Sequence, residues 1–501
     1  MKRGTILLRK IGIELNKKDF EYDVHSLVKA FYPEDELTMY YKEEPQTEGF
    51  DLLFVVTYEQ EYIHIQITDN QNNQEKEVFS EEIACDYEKD RKQTKNVLKQ
   101  VLYRGLTKET GTTQPWGTLS GIRPTKIPMK LLEEGHSNVE IAQYMRDTYY
   151  TSNEKTALCI TIANREREIL KDIDYENGYS LYVGIPFCPS ICLYCSFSSY
   201  PLEKWKKQVD AYLDTLCKEI EWSSKRYAHK TLDTVYIGGG TPTTLEPNQL
   251  RRLLSKIQEC FDFTHVKEYT VEAGRPDSIT KEKLQVLQEF PVTRISVNPQ
   301  TMNQETLEII GRRHTVEDTI QSYELARSLG FDNINMDLIV GLPGEDLAKV
   351  EHTLEWMKKL SPDSLTVHSL AVKRAARLNM FKDLYQEMTF ENNQEIMNAT
   401  AACAMEMGMG PYYLYRQKNM KGNFENVGYA KVDKAGIYNI LIMEEKQSIL
   451  ALGAGASTKF VFEHGQRIER VENVKDVRNY IDRIDEMLER KQKGIDLYLD
   501  A

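Results

Sequence analysis

No run in this 501-residue chain approaches the roughly 18 apolar residues of a membrane span. The opening MKRGTILLRKIGIEL holds no unbroken apolar stretch of the kind a secretory leader carries, so a cytoplasmic protein is expected. Low-complexity tracts are missing, and 41% hydrophobic with 28% charged residues is ordinary for a soluble protein. Positive charge is in deficit: 64 Lys and Arg stand against 77 Asp and Glu, a net −13. That argues against a dedicated nucleic-acid or anionic-membrane binder, while local basic clusters remain open to an acidic ligand. Cysteine is scarce. Eight residues are too few for a disulfide scaffold, and a reducing compartment keeps them as thiols. Five of them, Cys85, Cys159, Cys217, Cys260 and Cys403, stand alone and read as small buried hydrophobes.

The length exceeds what one core supports, so two or three domains are expected. Residues 1–175 read as an N-terminal α+β accessory module. FDLLFVVTYEQEYIHIQITD (50–69) sets two β-branched runs around a polar centre, a hairpin pattern. Ser137 with Glu140, and Thr151 with Glu154, fit the box that caps a helix start. Over 176–380 short β-rich runs recur at 181–186, 233–239, 268–273, 293–298, 333–340 and 363–370, separated by amphipathic stretches such as 209–222 and 248–261. That rhythm means βαβ units with parallel strands. Six units fall short of eight-fold closure, so an α/β fold with a partial (β/α)6 barrel is expected, its ligand at the C-terminal strand ends. Residues 381–501 read as a C-terminal α/β substrate-capping region. It holds a helix near 391–408, strand-like YNILIM (438–443), a glycine turn ALGAGAS (451–457) and a terminal helix near 474–492.

Motifs gather at the strand ends. GIPFCPSICLYCSFS (184–198) follows the first and GGGTPT (238–243) the second; Glu272 ends the third, Asn298-Pro299-Gln300 the fourth, and Asp337 with GLPGE (341–345) the fifth. Cys188, Cys192 and Cys195 stand at i, i+4 and i+7, which fits one face of a helix, although Pro186 and Pro189 oppose a continuous one. A structural zinc would want a fourth ligand that no nearby Cys or His supplies. The third reading is an iron–sulfur cluster held by three thiolates, one iron being left open to a small chelating molecule.

C-x-x-x-C-x-x-C after a first barrel strand, with Tyr194 just before the last cysteine, resembles the radical S-adenosylmethionine (SAM) enzymes. YVGIPFC, CLYCSF, YIGGGTPT, YTVEAGRPD, ISVNPQT, GRRHT, NMDLIVGLPGE, GNFENVGYA and LGAGAS are similar to the oxygen-independent coproporphyrinogen III oxidases (dehydrogenases), most of all to the HemZ-type branch, over about residues 178–460. The resemblance implies a radical SAM barrel, a [4Fe–4S] cluster on Cys188, Cys192 and Cys195, and one or two molecules of S-adenosylmethionine. Tyr182, Gly239 and Glu272 match positions that contact the first molecule. Tyr194, Gly240, Thr241, Gln300, Arg312, Asp337 and Ala371 match the second site. A glycine run lets backbone amides approach a carboxylate, and a strand-end carboxylate can pair with an ammonium group.

The implied reaction, in haem (porphyrin) biosynthesis, converts two propionates of coproporphyrinogen III to the vinyl groups of protoporphyrinogen IX. A substrate with four carboxylates wants cations, and Arg275, Arg312, Arg313, Lys373, Arg374, Arg377 and Arg416 are candidates near the rim. The resemblance also implies an electron donor such as flavodoxin or ferredoxin. Neither nucleic acid nor membrane is expected as a partner, and the chain is expected to be a monomer. Two departures stand beside the cluster: Phe197, where the best-established members carry a further cysteine, and Gly184, where they usually carry His. These admit two rivals. One is a haem-binding carrier of the same fold, whose H-N-x-x-Y-W mark is missing here. The other is a radical enzyme acting on another tetrapyrrole.

Overall fold

The computed structural model describes residues 8–44, 49–70, 75–85, 89–196, 199–371, 378, 390–417, 424–462 and 465–498. They fall into two compact units, one within Met1–Thr161 and Lys421–Phe424, the other within Ile162–Met420 and Glu425–Ala501. Among the described residues no helix is long and apolar enough to cross a membrane.

The first unit holds strands β1 (Lys10–Leu15), β2 (Glu36–Tyr41), β3 (Leu52–Tyr58), β4 (Tyr62–Asp69) and β5 (Lys76–Ala84), in the order β2-β1-β3-β4-β5. The hairpin expected at 50–69 is present, with Tyr58 opposite Ile63. Leu52, Phe54, Val56 and Tyr58 are buried on one face while Leu53, Val55 and Thr57 are half-buried on the other. The buried face joins Val24, Leu27 and Val28 of helix Glu21–Phe31 and Leu98, Val101 and Leu102 of helix Arg91–Thr110 in one core. Ser137 and Glu140 form the expected capping box. At the next helix the cap lies one residue later than expected. The Ser152 hydroxyl accepts from Lys155 N (3.2 Å), whereas the Thr151 hydroxyl is shared with Thr156 (2.7 Å). The helix starts at Asn153, so Ser152 is the residue whose side chain reaches the third amide.

The second unit continues with β6 (Gly178–Ile185), short β7 (Phe187–Cys188) and β8 (Tyr200–Pro201), β9 (Thr231–Gly239), β10 (Glu268–Gly274), β11 (Arg294–Val297), β12 (Ile334–Val340) and β13 (Ser364–Ser369). β14 (Gly410–Tyr415), β15 (Asn426–Ala430), β16 (Ser448–Leu452), β17 (Ser457–Phe462) and β18 (Arg467–Glu472) follow. One sheet runs β14-β15-β13-β12-β11-β10-β9-β6-β16-β17-β18. The six expected strands, β6 and β9 to β13, lie in sequence order and all parallel, and β16 adds a seventh parallel strand beside β6. Antiparallel strands extend both edges.

YNILIM is not a strand; it lies in helix Ile437–Glu444. Eight residues of mostly apolar sequence carry no decisive period, and the helix buries Ile440 and Leu441 in a cluster with Leu170, Tyr412 and Tyr413. The expected terminal helix is two, Val477–Asp482 and Ile484–Tyr498.

Register decides what the barrel encloses. Tyr182, Tyr236, Thr270 and Arg294 stand side by side on neighbouring strands, as do Ser296, Asn335 and Ser364. Side chains two residues apart share a face, so Gly184, Gly238, Glu272, Asp337, Thr366 and His368 continue this polar surface. Its members bond to one another: Thr234 to Ser180 (2.8 Å), Ser180 to Gln447 (2.9 Å) and Ser364 to Asn335 (3.0 Å). The alternate residues, Leu181, Val183, Val235, Ile237, Val271, Ile295, Leu365 and Val367, are apolar and buried.

Candidate functional site

The cysteine loop leaves β6 after Ile185 and is tied down by backbone bonds. Tyr200 N donates to Pro186 O (2.8 Å), Leu193 N to Ile310 O (2.9 Å) and Cys195 N to Cys192 O (3.2 Å). Phe187–Cys188 is extended and residues 193–194 form a turn, so the cysteines share no helix and the core-stripe reading falls. Cys192 is buried, Cys188 and Cys195 are half-buried, and none of the three is in a disulfide. Among the described residues no three His, Cys, Asp or Glu side chains are placed to hold one metal ion; a cluster differs in taking each thiolate on a separate iron. Burial pushes the Cys188 thiol up to about 11, opposed by the Thr241 hydroxyl 3.7 Å from its sulfur. Metal taken up by that sulfur would therefore displace a proton.

The glycine run lies against this loop. Gly239 has φ +103°, and a Cβ on Gly240 would stand 2.6 Å from Phe187 O. Gly240 N donates to Ile185 O (2.7 Å), Thr241 N to Phe187 O (2.8 Å), and Gly239 N to the Glu272 carboxylate. These amides are engaged within the protein, and what the glycines provide is close approach of the run to Phe187. Glu272 also accepts from the Tyr236 hydroxyl. Burial, reinforced by Asp337, pushes its carboxyl up to about 7 against those two hydrogen bonds.

Tyr182 stacks at 6.3 Å on Tyr236, which stacks at 4.4 Å on Tyr438. Gln300 is a non-glycine residue at φ +67°, held by its N donating to Asp337 O and its O accepting from Ile339 N, both 2.9 Å. Such strain costs about 1–3 kcal/mol and gathers at functional positions. Arg312 is buried, donating to Asn298 O (2.6 Å) and the Tyr194 hydroxyl (3.1 Å), with Cys192 also among its partners. Its Nε has no hydrogen-bond partner. Asp337 accepts from Asn335 (2.7 Å), and Ala371 follows β13, half-buried.

Of the expected rim cations, Arg313 is exposed, while Arg275 and Arg416 are only 3% and 5% exposed. Arg275 is engaged by Asp277, which removes it from the substrate cations. Lys373, Arg374, Arg377 and Phe197 lie outside the described residues. Sequence reasoning misses Tyr236 and His368, which share the enclosed face, and Tyr438, which stacks on Tyr236. His368 Nδ1 lies 3.3 Å from the Tyr415 hydroxyl and its Nε2 4.0 Å from Asp337. The signal was present for two of them: Tyr236 and His368 keep the two-residue phase of Gly238 and Thr366.

The description of the radical SAM superfamily matches residues 182–357. The oxygen-independent coproporphyrinogen-III oxidase-like protein HemZ of Bacillus subtilis (strain 168) is 41% identical over 411 residues, 81% of this chain and 82% of that one. The chain belongs to the HemZ-type oxygen-independent coproporphyrinogen III oxidase-like family of radical SAM proteins. The heme chaperone HemW of the same organism is 40% identical over 195 residues, 39% of this chain; the chain spans about half of HemW, 51%. The structure of coproporphyrinogen III oxidase (HemN) from Escherichia coli, a radical SAM enzyme, superimposes with a TM-score of 0.51 at 26% identity, covering 62% of this chain and 70% of that one. The fold is thus the partial (β/α)6 barrel of radical SAM proteins, and the family implies a [4Fe–4S] cluster with S-adenosylmethionine. This HemZ-type chain fits both. Three thiols outside any disulfide share one loop, two guanidinium groups lie against Cys192, where they would offset the charge of a metal-bound sulfur, and the backbone at Gly240 leaves no room for a side chain.

Proposed function

We propose that the protein catalyses the oxygen-independent oxidative decarboxylation of coproporphyrinogen III to protoporphyrinogen IX, as part of haem biosynthesis. A bound cluster would supply the electron that cleaves S-adenosylmethionine, so that its 5′-deoxyadenosyl group could take one hydrogen atom from a substrate propionate; loss of carbon dioxide with transfer of the remaining electron to an external one-electron acceptor would then give the vinyl group. Cys188, Cys192 and Cys195 hold the cluster. Tyr182, Gly239 and Glu272 bind the first S-adenosylmethionine, Glu272 pairing as carboxylate with the ammonium group, which draws its proton off near neutrality. Tyr194, Gly240, Thr241, Gln300, Arg312, Asp337 and Ala371 bind a second. Residues 176–380 carry the chemistry, 381–501 cap the substrate, and 1–175 are accessory. Electrons come from a flavodoxin- or ferredoxin-like donor.

The observation that carries this reading is the match to HemZ over four-fifths of both chains. The test is anaerobic incubation of the reduced protein with S-adenosylmethionine and coproporphyrinogen III. Protoporphyrinogen IX is expected; 5′-deoxyadenosine release without it refutes this substrate. The match to HemW favours one second reading, a haem carrier. Stoichiometric haem binding without turnover would establish that reading instead.

A further inference from the structure

Arg275 directly follows β10 and reaches the cysteine loop, yet none of the roles above uses it. Its guanidinium is fixed on two sides. Nε and Nη2 donate to the two Asp277 oxygens at 2.9 and 2.7 Å. Nη1 donates to the Ser190 carbonyl (3.0 Å) and hydroxyl (2.8 Å) and lies 3.8 Å from Cys192 Sγ. The Ser190 hydroxyl in turn donates to Gly311 O at 3.0 Å, so the loop end of this chain of bonds is anchored as well. A buried guanidinium must be paired to be tolerated, and Asp277 pairs it. The loop receives the positive end of this ion pair. His314, 3.9 Å from Asp277, has no hydrogen-bond partner at either ring nitrogen. Burial and Arg312 hold His314 down to about 4, so at neutral pH it adds no charge. Arg312 is the second cation at Cys192 and is held separately, by Asn298 and Tyr194.

We propose that the Arg275–Asp277 pair sets the reduction potential of the cluster, with Arg275 acting as a positioning residue that donates to the Cys192 thiolate. The inference rests on the cluster reading above. Reduction adds one negative charge to the cluster. Hydrogen bonds to its sulfurs and a nearby buried cation favour the reduced form and raise the potential. Arg275 therefore eases electron entry and Asp277 limits that effect.

The experiment is a spectroscopic redox titration of the full chain, reconstituted anaerobically and free of substrate, with iron and sulfide counted in each variant. Arg275→Met is expected to keep the cluster and shift the midpoint to more negative values. Arg275→Lys should shift it less, and Asp277→Asn, which keeps the guanidinium, should shift it to more positive values. A purely structural role would not produce opposite signs. Unchanged midpoints, or shifts of the same sign in Arg275→Met and Asp277→Asn, overturn the proposal. Should Arg275→Met fail to assemble a cluster, Asp277→Asn decides alone: a positive shift supports the proposal, and any other result overturns it. A wild-type chain without a reducible [4Fe–4S] cluster overturns the cluster reading itself, whereas a full cluster at an unmoved potential overturns only this inference.

Discussion

The N-terminal sheet and the barrel sheet both alternate side chains with a period of two, and they use the alternation differently. In β3 the inward residues Leu52, Phe54, Val56 and Tyr58 are apolar and their half-buried neighbours face away, so that sheet buys a core with its inner face. In the barrel the apolar residues Leu181, Val235, Val271 and Ile295 are buried on one face, and the other, also largely shielded, carries Tyr182, Tyr236, Glu272, Asn335, Asp337 and His368. Burying such groups is unfavourable unless each finds partners, and no packing requirement calls for a carboxyl held near pH 7. Where a fold accepts polar burial that it could avoid, the reason is chemistry rather than stability.

Substitutions in the two sheets should separate accordingly. Cys192→Ala is expected to abolish 5′-deoxyadenosine formation altogether with an unchanged circular dichroism spectrum; product detected by chromatography at the wild-type rate would remove the loop from the chemistry. Arg312→Ala should keep the cluster and lose turnover, and unaltered kinetics would take it out of the site. Phe54→Ala should do the reverse, costing about 3–5 kcal/mol in denaturant unfolding of its own unit while iron content and radical formation stay intact.

Glu272→Gln tests the cost of polar burial directly. The folded-state pKa is raised from 4.5 to about 7. Relative to a neutral side chain, the carboxyl is therefore harmless below about pH 4.5 and destabilises increasingly as pH rises to about 7, by up to about 3 kcal/mol. The variant should melt higher than wild type at about pH 8, melt alike at about pH 4.5, and bind S-adenosylmethionine more weakly. Parallel stability profiles would show that burial of this carboxyl is not costly. Arg313→Ala, at an exposed position, should move neither stability nor turnover measurably.

Much of the barrel is legible in the sequence, because five of the six β-rich runs end in residues of unusual chemistry, among them the cysteine triplet after β6, GGGTPT at the end of β9 and Glu272 in β10. The polar face is not, because which residues share it depends on pairing between distant strands, such as Tyr182 with Tyr236. The helix at Ile437–Glu444 is missed since a short apolar run has no decisive period. Its consequence is large, for it supplies Tyr438 to the stack on Tyr236. The engagement of Arg275 is equally invisible: a lone arginine near a rim reads as a substrate cation until its bonds to Asp277 and Ser190 are seen.

Counting iron and acid-labile sulfide in the anaerobically reconstituted chain, beside its Cys192→Ala variant, weighs most on all of this. About four of each per wild-type chain, and neither in the variant, is expected of a cluster held by three thiolates. Zinc in place of iron at the wild-type loop, or iron kept in full by the variant, would mean that these cysteines do not hold such a cluster.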